Sequence, residues 1–238
     1  MRVYGKNVAK EVIEKEKIKK AYISKKFNDK EIMEKLKENK VQIKFIEKNI
    51  LDKMEKGNHQ GIILEIEDYE YFSLDEIEKE DVIIMLDHLE DPHNLGAIIR
   101  TVEAAGFKSI IIPKDRSVEV NQTVMKTSAG TIENVKIAKV ANLVNTIKEL
   151  KERGYWVIGT DMNGDDYKNI DYTGKIVIII GNEGKGMSRL IKENCDFIAS
   201  IPMRGEVNSL NASVAAALII YEAVRKIVWQ YKWLWSFR

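Results

Sequence analysis

Five polar side chains stand at turning points of this chain: Asn94 and Arg100 in HLEDPHNLGAIIRT, Glu183 in GNEGKGM, and Ser209 and Asn211 in RGEVNSLN. Each stretch follows a short apolar run, contains glycine and leads into a helical pattern. Amide, hydroxyl and carboxylate groups gathered on such loops suit the binding and orienting of a polar small molecule. Arg100 sits one turn into an otherwise apolar helical pattern (Ala97, Ile98, Ile99, Val102), so a polar face toward a pocket is expected. A guanidinium is a poor base; it is suited to holding a phosphate or stabilising a developing oxyanion. Each residue also has a plainer reading. Asn211 can cap the helix that follows, Ser209 can bond within its loop, Glu183 can be a solvated carboxylate and Arg100 a helix-surface cation.

The common nucleotide signatures are missing. No G-x-G-x-x-G occurs, the glycines of GNEGKG fall at 181, 184 and 186, and there is no G-x-x-x-x-G-K-[ST]. This disfavours a NAD dehydrogenase, a P-loop kinase or another α/β nucleotide-binding enzyme. His88 and His93 flank the first loop and read as loop residues; His59 opens an extended run. None of the three has the partners of a metal ligand, so no metal is expected.

The elements that must position these groups change character along the chain. VIIMLD (82–87), SIIIP (109–113), WVIGT (156–160) and KIVIIIG (175–181) are near-continuous apolar runs, as in strands buried on both faces of a parallel sheet. Helical patterns lie between them at 97–106, 141–154 and 186–194, with Asn142 as a cap and Gly154 as a C-terminal stop. A short extended run, Ile201-Pro202-Met203, precedes the last loop and a long apolar helix. Alternating strand and helix predicts an open, mostly parallel α/β sheet, whose ligands sit at the carboxyl ends of the strands. Residues 1–66 form a smaller α/β pattern: a helix carrying Val8, Val12 and Ile13, a strand at 19–24, a helix at 28–40 capped by Asn28 or Asp29, and strands at 41–47 and 61–67. The expected organisation is a 1–66 domain, an acidic linker at 67–81 with the boundary near 80, a main domain at 82–228 and an aromatic tail at 229–238.

The 238-residue chain is 45% hydrophobic and 32% charged, the profile of a soluble globular protein. It lacks the apolar start of a signal peptide and any run of 18 apolar residues, and its lone Cys195 makes no internal disulfide. A reducing, cytoplasmic setting fits. Net charge is only +1 but unevenly spread: residues 1–66 carry +6, residues 67–81 carry −7 and the remainder +2. A basic N-terminal module points toward nucleic acid, or simply to a lysine-rich surface.

Taken together, DPHNLGAIIRTVEAAGF, IIIGNEGKGMSRLIKENCD and IPMRGEVNSLNASVAAALIIYEAVRK resemble motifs 1, 2 and 3 of the SpoU family of RNA 2′-O-ribose methyltransferases, in the family's order and with comparable spacing. HQGI (59–62), IIPKDRS (111–117) and the small first module are similar to the RlmB-like subgroup, which methylates a guanosine of bacterial 23S ribosomal RNA. The resemblance covers nearly the whole chain to about residue 228. It implies a deep trefoil knot in the C-terminal domain, a homodimer, S-adenosylmethionine as cofactor and a ribosomal-protein-like RNA-binding first domain. It implies catalytic or pocket-shaping roles for Arg100, Asn94, Glu183, Ser209 and Asn211, with Glu183 orienting Arg100 or Asn94. Gly181, Ile201, Leu210, Thr160 and Met203 are the implied cofactor positions, with Gly181 letting the backbone approach the cofactor closely. Lys114, Arg116 and Arg204, on loops near strand ends, are candidate contacts to RNA phosphates. The resemblance leaves open a tRNA substrate, and a protein that binds RNA without catalysis. It ends before WQYKWLWSFR, which has no functional account.

Overall fold

The structure, a computed structural model, describes residues 1–15 and 17–235. The chain divides into two units, Met1–Glu70 and Tyr71–Arg238.

The first unit is a four-stranded sheet in the order β1-β4-β2-β3. Its strands are β1 (Arg2–Tyr4), β2 (Ile18–Ser24), β3 (Gln42–Ile46) and β4 (Ile62–Ile66), with helices α1 (Lys6–Lys15), α2 (Lys30–Glu38) and α3 (Lys48–Met54). β4 pairs antiparallel with both β1 and β2, and β2 runs parallel to β3. The central β4 buries Ile62, Ile63, Leu64 and Ile66, so both its faces are covered. Edge strand β3 instead exposes Gln42, Lys44 and Phe45, and its lysine discourages edge-to-edge pairing. Of the two candidate caps for α2, Asp29 does the work: its carboxylate accepts from Ile32 N–H at 3.3 Å. β1 is too short, and α3 too polar, to be picked out from pattern alone.

The second unit is a six-stranded sheet in the order β10-β8-β9-β5-β6-β7. The strands are β5 (Val82–Leu86), β6 (Ser109–Pro113), β7 (Lys136–Val140), β8 (Trp156–Asp166), β9 (Ile176–Ile180) and β10 (Phe197–Ser200). Every pairing is parallel, so all carboxyl ends lie along one edge. β5, β6 and β9 are buried at every position, which is why they read as unbroken apolar runs. The helices are α4 (Leu74–Ile77), α5 (Pro92–Ala104), α6 (Gln122–Thr127), α7 (Leu143–Glu152), α8 (Arg189–Glu193) and α9 (Ala212–Trp235). On one face Ile83, Met85, Ile111, Val157, Val177 and Ile179 pack with Leu143, Ile147 and Leu150 of α7. The alternating positions of the strands face the other side, where α5 packs on α9 and α9 on β9.

Several boundaries differ from the sequence expectation. The acidic segment is bound to the second unit from its middle onward: Phe72 bridges to Ala138, and Ser73 and Glu76 form a capping box on α4. α5 starts at Pro92, capped by Asp91, five residues before the predicted 97; proline suits the first helical position, where no N–H is needed. α8 spans only Arg189–Glu193, because Gly186 and Met187 belong to the preceding loop. Asn142 caps α7 and Gly154 follows it at φ +87°, as expected. Of the aromatic tail, α9 carries the backbone to Trp235; the side chains from 229 onward lie outside the described residues. Among the described residues, no helix is long and apolar enough to cross a membrane.

Candidate active site

β8 is pushed out of regular pairing where it passes β10. Ile198 pairs with Gly159, but the next residue, Ala199, pairs with Asp165, so residues 160–164 of β8 bulge from the sheet. A bulge of this kind re-aims side chains next to functional sites. Gly164 is needed there: a Cβ would fall 2.3 Å from the Ile198 carbonyl oxygen. Thr160 ties the start of the bulge to β9 through its hydroxyl, which donates to Ile179 O at 2.9 Å.

The bulge, the loop after β9 and the segment from Ala199 to Ala215 enclose a cavity of about 440 Å³, within the usual range for small-molecule sites. Thr160, Gly181, Ile201, Met203 and Leu210 all line it, as do Glu183 and Ser209. Ile180, Ala212 and Ala215 add apolar surface. Two carboxylates, Asp161 and Glu183, and two ammonium groups, Lys185 and Lys192, complete the wall. Asp161 is ion-paired with Lys192. Burial pushes its carboxyl up, but the Lys192 ammonium and the Asn163 N–H outweigh that and hold it below the ordinary carboxylate range. The lining therefore suits a ligand with an apolar or aromatic part and a zwitterionic part.

The loop after β9 is knitted to the loop after β5. Asn94, in the first turn of α5 and 5% exposed, donates from Nδ2 to Glu183 Oε1 at 2.8 Å. Glu183 thus engages Asn94 and not Arg100. Two residues absent from the sequence reading hold this junction. Asn182 donates to His88 O at 2.8 Å and accepts from the N–H groups of Gly184 and Lys185. Asp87, 2% exposed, accepts from Ser188 N–H at 2.7 Å and from His88 Nδ1 at 2.5 Å. His88 is therefore more than a passive loop residue: it turns the chain at φ +54°, a conformation costly for a non-glycine residue. The one available signal was an aspartate ending a buried strand, where an unpaired charge is not tolerated.

Gly181 is required by the loop itself. A Cβ there would meet Gly186 C and Met187 N at 2.6 Å, so the steric demand visible here comes from the chain's own backbone. Asn211 caps α9: its Oδ1 accepts from Ser213 N at 2.9 Å and Ser213 Oγ at 2.6 Å, and it lies outside the cavity lining. Arg100 also lies outside the lining, exposed on α5 and without an ion-pair partner among the described residues. The buried Ile98, Ile99 and Val102 turn toward the core, which leaves position 100 on the outer surface. Lys114, Arg116 and Arg204 are exposed just beyond the carboxyl ends of β6 and β10, on the sheet edge that bears the cavity. His93 is exposed beside Thr127. His59 is committed internally, accepting from Gly61 N–H and bonding Asp52 at 2.8 Å.

Comparison with known proteins matches this geometry. Residues 81–221 match the SpoU rRNA methylase family, and residues 2–72 match the RNA 2′-O ribose methyltransferase substrate-binding family. A Bacillus subtilis protein assigned by name to the TrmH family of tRNA/rRNA methyltransferases, YacO, is 49% identical over 178 residues, covering 71% of this chain and 72% of its own. The crystal structure of an AdoMet-bound rRNA methyltransferase from Sinorhizobium meliloti superposes with a TM-score of 0.72 at 26% identity, over 94% of this chain and 86% of that one. A TrmH/SpoU tRNA modifying enzyme from A. aeolicus is 34% identical with a TM-score of 0.57, over 61% of this chain and 75% of that one. The chain, with the loops after β9 and β10 walling one cavity at the carboxyl edge of a parallel sheet and the loop after β5 bonded to the first of them, belongs to the SpoU rRNA methylase family.

Proposed function

We propose that this protein transfers the methyl group of S-adenosylmethionine to a ribose 2′-hydroxyl of RNA, and that its substrate is a guanosine of 23S ribosomal RNA. The observation that carries the reading is the junction beside the cavity. Asn94 and Glu183, from two loops 89 residues apart in sequence, meet at 2.8 Å, and Glu183 lines the cavity with Ile201, Ser209 and Leu210. The ribosomal substrate is favoured by coverage. The rRNA methyltransferase structure matches 94% of this chain, the tRNA modifying enzyme 61%, and the basic stretch of residues 1–66, net +6, is the natural holder of a large RNA.

The cavity fits the cofactor chemically. Its apolar surface (Ile180, Ile201, Met203, Leu210) suits an adenine ring, and its mixed carboxylates and ammonium groups suit an amino-acid end. When bound, S-adenosylmethionine supplies an electrophilic methyl carbon. The chain's own residues then position the RNA. The Asn94 amide, fixed by Glu183, offers its carbonyl oxygen to the ribose, and Ser209 adds a hydroxyl at the cavity wall. The Arg100 guanidinium offers hydrogen-bond donors and no acceptor. From the outer surface of α5 it grips an RNA phosphate and favours the developing 2′-oxyanion through its charge, with the 2′-hydroxyl proton passing to solvent water. Lys114, Arg116 and Arg204 extend the cationic edge along the RNA backbone.

The knot and a homodimer belong to the same reading. Val214, Leu218, Tyr221 and Val228 leave an exposed apolar stripe on α9, of the kind that a second copy covers. The working compartment is the cytoplasm.

The test is transfer of label from radioactive S-adenosylmethionine to 23S RNA transcripts, with tRNA in parallel, and mapping of the product by resistance to alkaline hydrolysis. Label in 23S RNA at a guanosine, lost in Arg100→Ala, is the expected result. Label confined to tRNA would keep the chemistry and overturn the substrate. Absence of cofactor binding would leave a non-catalytic RNA-binding protein.

A further inference from the structure

We propose that a cleft in the first unit is a nucleotide-binding subsite, which grips one unpaired nucleotide of the RNA through its phosphate and its base. This rests on the reading that the protein acts on RNA, and it assigns a specific contact within the basic unit. The cleft, of about 330 Å³, opens where β2 ends and the chain enters β4; Lys26, Phe27, Lys48, Asn58 and Gln60 line it above a floor made by His59.

The floor is rigid. His59 is 4% exposed. Its Nδ1 accepts from Gly61 N–H at 3.0 Å, so the ring proton sits on Nε2 and is donated to Asp52 Oδ1 at 2.8 Å. That bond engages the single carboxylate among the described lining residues. Nearby lysines are paired: Lys25 with Glu47 at 2.7 Å, and Lys6 with Asp29 at 3.8 Å. Lys26 and Lys48 have no carboxylate within ion-pair distance among the described residues, and both are exposed. Two lysines outside any close ion pair, against the one Asp52 carboxylate that His59 already engages, leave this cleft net positive and suited to a phosphodiester.

The wall is aromatic. Phe27 is half-buried, and its ring edge lies so close to Gly61 that a Cβ there would stand 3.2 Å from Cδ2. Lys6 Nζ lies 5.2 Å from the ring centroid and enriches the positive potential around the ring. The loop is bent to make room: Gln60 holds φ +49° and Gly61 φ +85°, with Gln60 Oε1 fixed by the Lys6 backbone N–H at 2.8 Å. Asn58 and Gln60 carry amides at the rim. Free cations, an aromatic wall and amide groups at one cleft are the equipment by which proteins take a splayed-out RNA base.

The test uses the full chain, wild type and variants, titrated into fluorescently labelled 23S RNA transcript over a range of salt, with methyl-transfer kinetics on the same RNA. Lys26→Gln/Lys48→Gln should weaken binding and flatten the slope of log K against log salt by about 1.4, roughly 0.7 for each lost single-strand phosphate contact. Phe27→Leu should weaken binding about five-fold or more with the slope unchanged. Both should raise KM for RNA and leave kcat and S-adenosylmethionine affinity alone. Lys37→Gln/Lys44→Gln removes the same charge from exposed positions outside the cleft and should change binding far less. An equal loss from that control pair would show that net charge alone matters, and would overturn the subsite. So would wild-type slope and KM in Lys26→Gln/Lys48→Gln. The enzymatic reading fails separately: a wild type that binds RNA through this cleft but transfers no methyl group would retain the subsite and remove the activity.

Discussion

The two loops that wall the cavity are built on opposite principles. The loop after β9, residues 181–188, is tied down at almost every step: Asn182 to His88 and to its own turn, Glu183 to Asn94, Gly186 to Asn182 and Ser188 to Asp87. The loop after β10, residues 204–210, is exposed along most of its length and makes no hydrogen bond among the described residues. One wall is therefore set before any ligand arrives, and the other has few local interactions to lose. Segments with few contacts open at low free-energy cost. A site with one fixed and one yielding wall admits its ligand past the yielding side, then gains order there.

The largest effect should come from the root of the fixed wall. Asp87→Ala removes two charge-assisted acceptors and strands Ser188 N–H, at a cost of about 2–3 kcal/mol. Urea unfolding followed in the second unit would show it, and an unchanged midpoint would mean the junction bears no load. A glycine pair sharpens the contrast. Gly181→Ala drives a Cβ to 2.6 Å from backbone atoms that cannot swing away, so a loss of roughly 1–3 kcal/mol is expected. Gly205→Ala, in the other loop, meets nothing within 4 Å and should stay within about 0.5 kcal/mol of wild type. Equal behaviour of the two would erase the distinction between the walls.

Asn94→Ala should cost only about 1 kcal/mol of stability, because Glu183 is exposed and can be solvated. Methyl transfer should fall much further, up to ~100-fold, since a misplaced reacting group is expensive. A variant with full kcat would exclude Asn94 from positioning the ribose. The smallest effect is the pH dependence of Asp161. Its folded-state pKa lies below the ordinary 3.8, so its carboxylate stabilises the folded state fully above that value. The contribution fades as pH falls below 3.8 through the folded pKa. The melting-temperature difference between wild type and Asp161→Asn should therefore be constant near neutrality and shrink below pH 3.8; a difference that grows on acidification would reverse the sign.

How much of this was legible in the sequence follows from where the information lies. Strands β5, β6 and β9 are buried on both faces, and nothing but Val, Ile, Leu, Met, Ser and Pro occupies them; such runs announce themselves. The resemblance to the family's motifs groups Thr160, Gly181, Ile201, Met203 and Leu210, and these five share one cavity. The second half of β8 was hidden, because DMNGDD has the composition of a turn and is held as strand only by its irregular pairing with β10. The roles of Asp87 and Asn182 were hidden because each acts on backbone groups distant in sequence. Arg100 shows the converse. Helical spacing placed it on a polar face, but only packing could show that this face looks outward rather than into the cavity.

Hydrogen–deuterium exchange of the full chain, with and without S-adenosylmethionine, tests most directly whether this cavity with its unequal walls is the cofactor site. The account predicts that amides in 204–210 exchange quickly in the free protein and gain protection on binding, while those in 182–188 are already protected and change little. Protection that spares 204–210, or that appears in residues 1–70 instead, would contradict it.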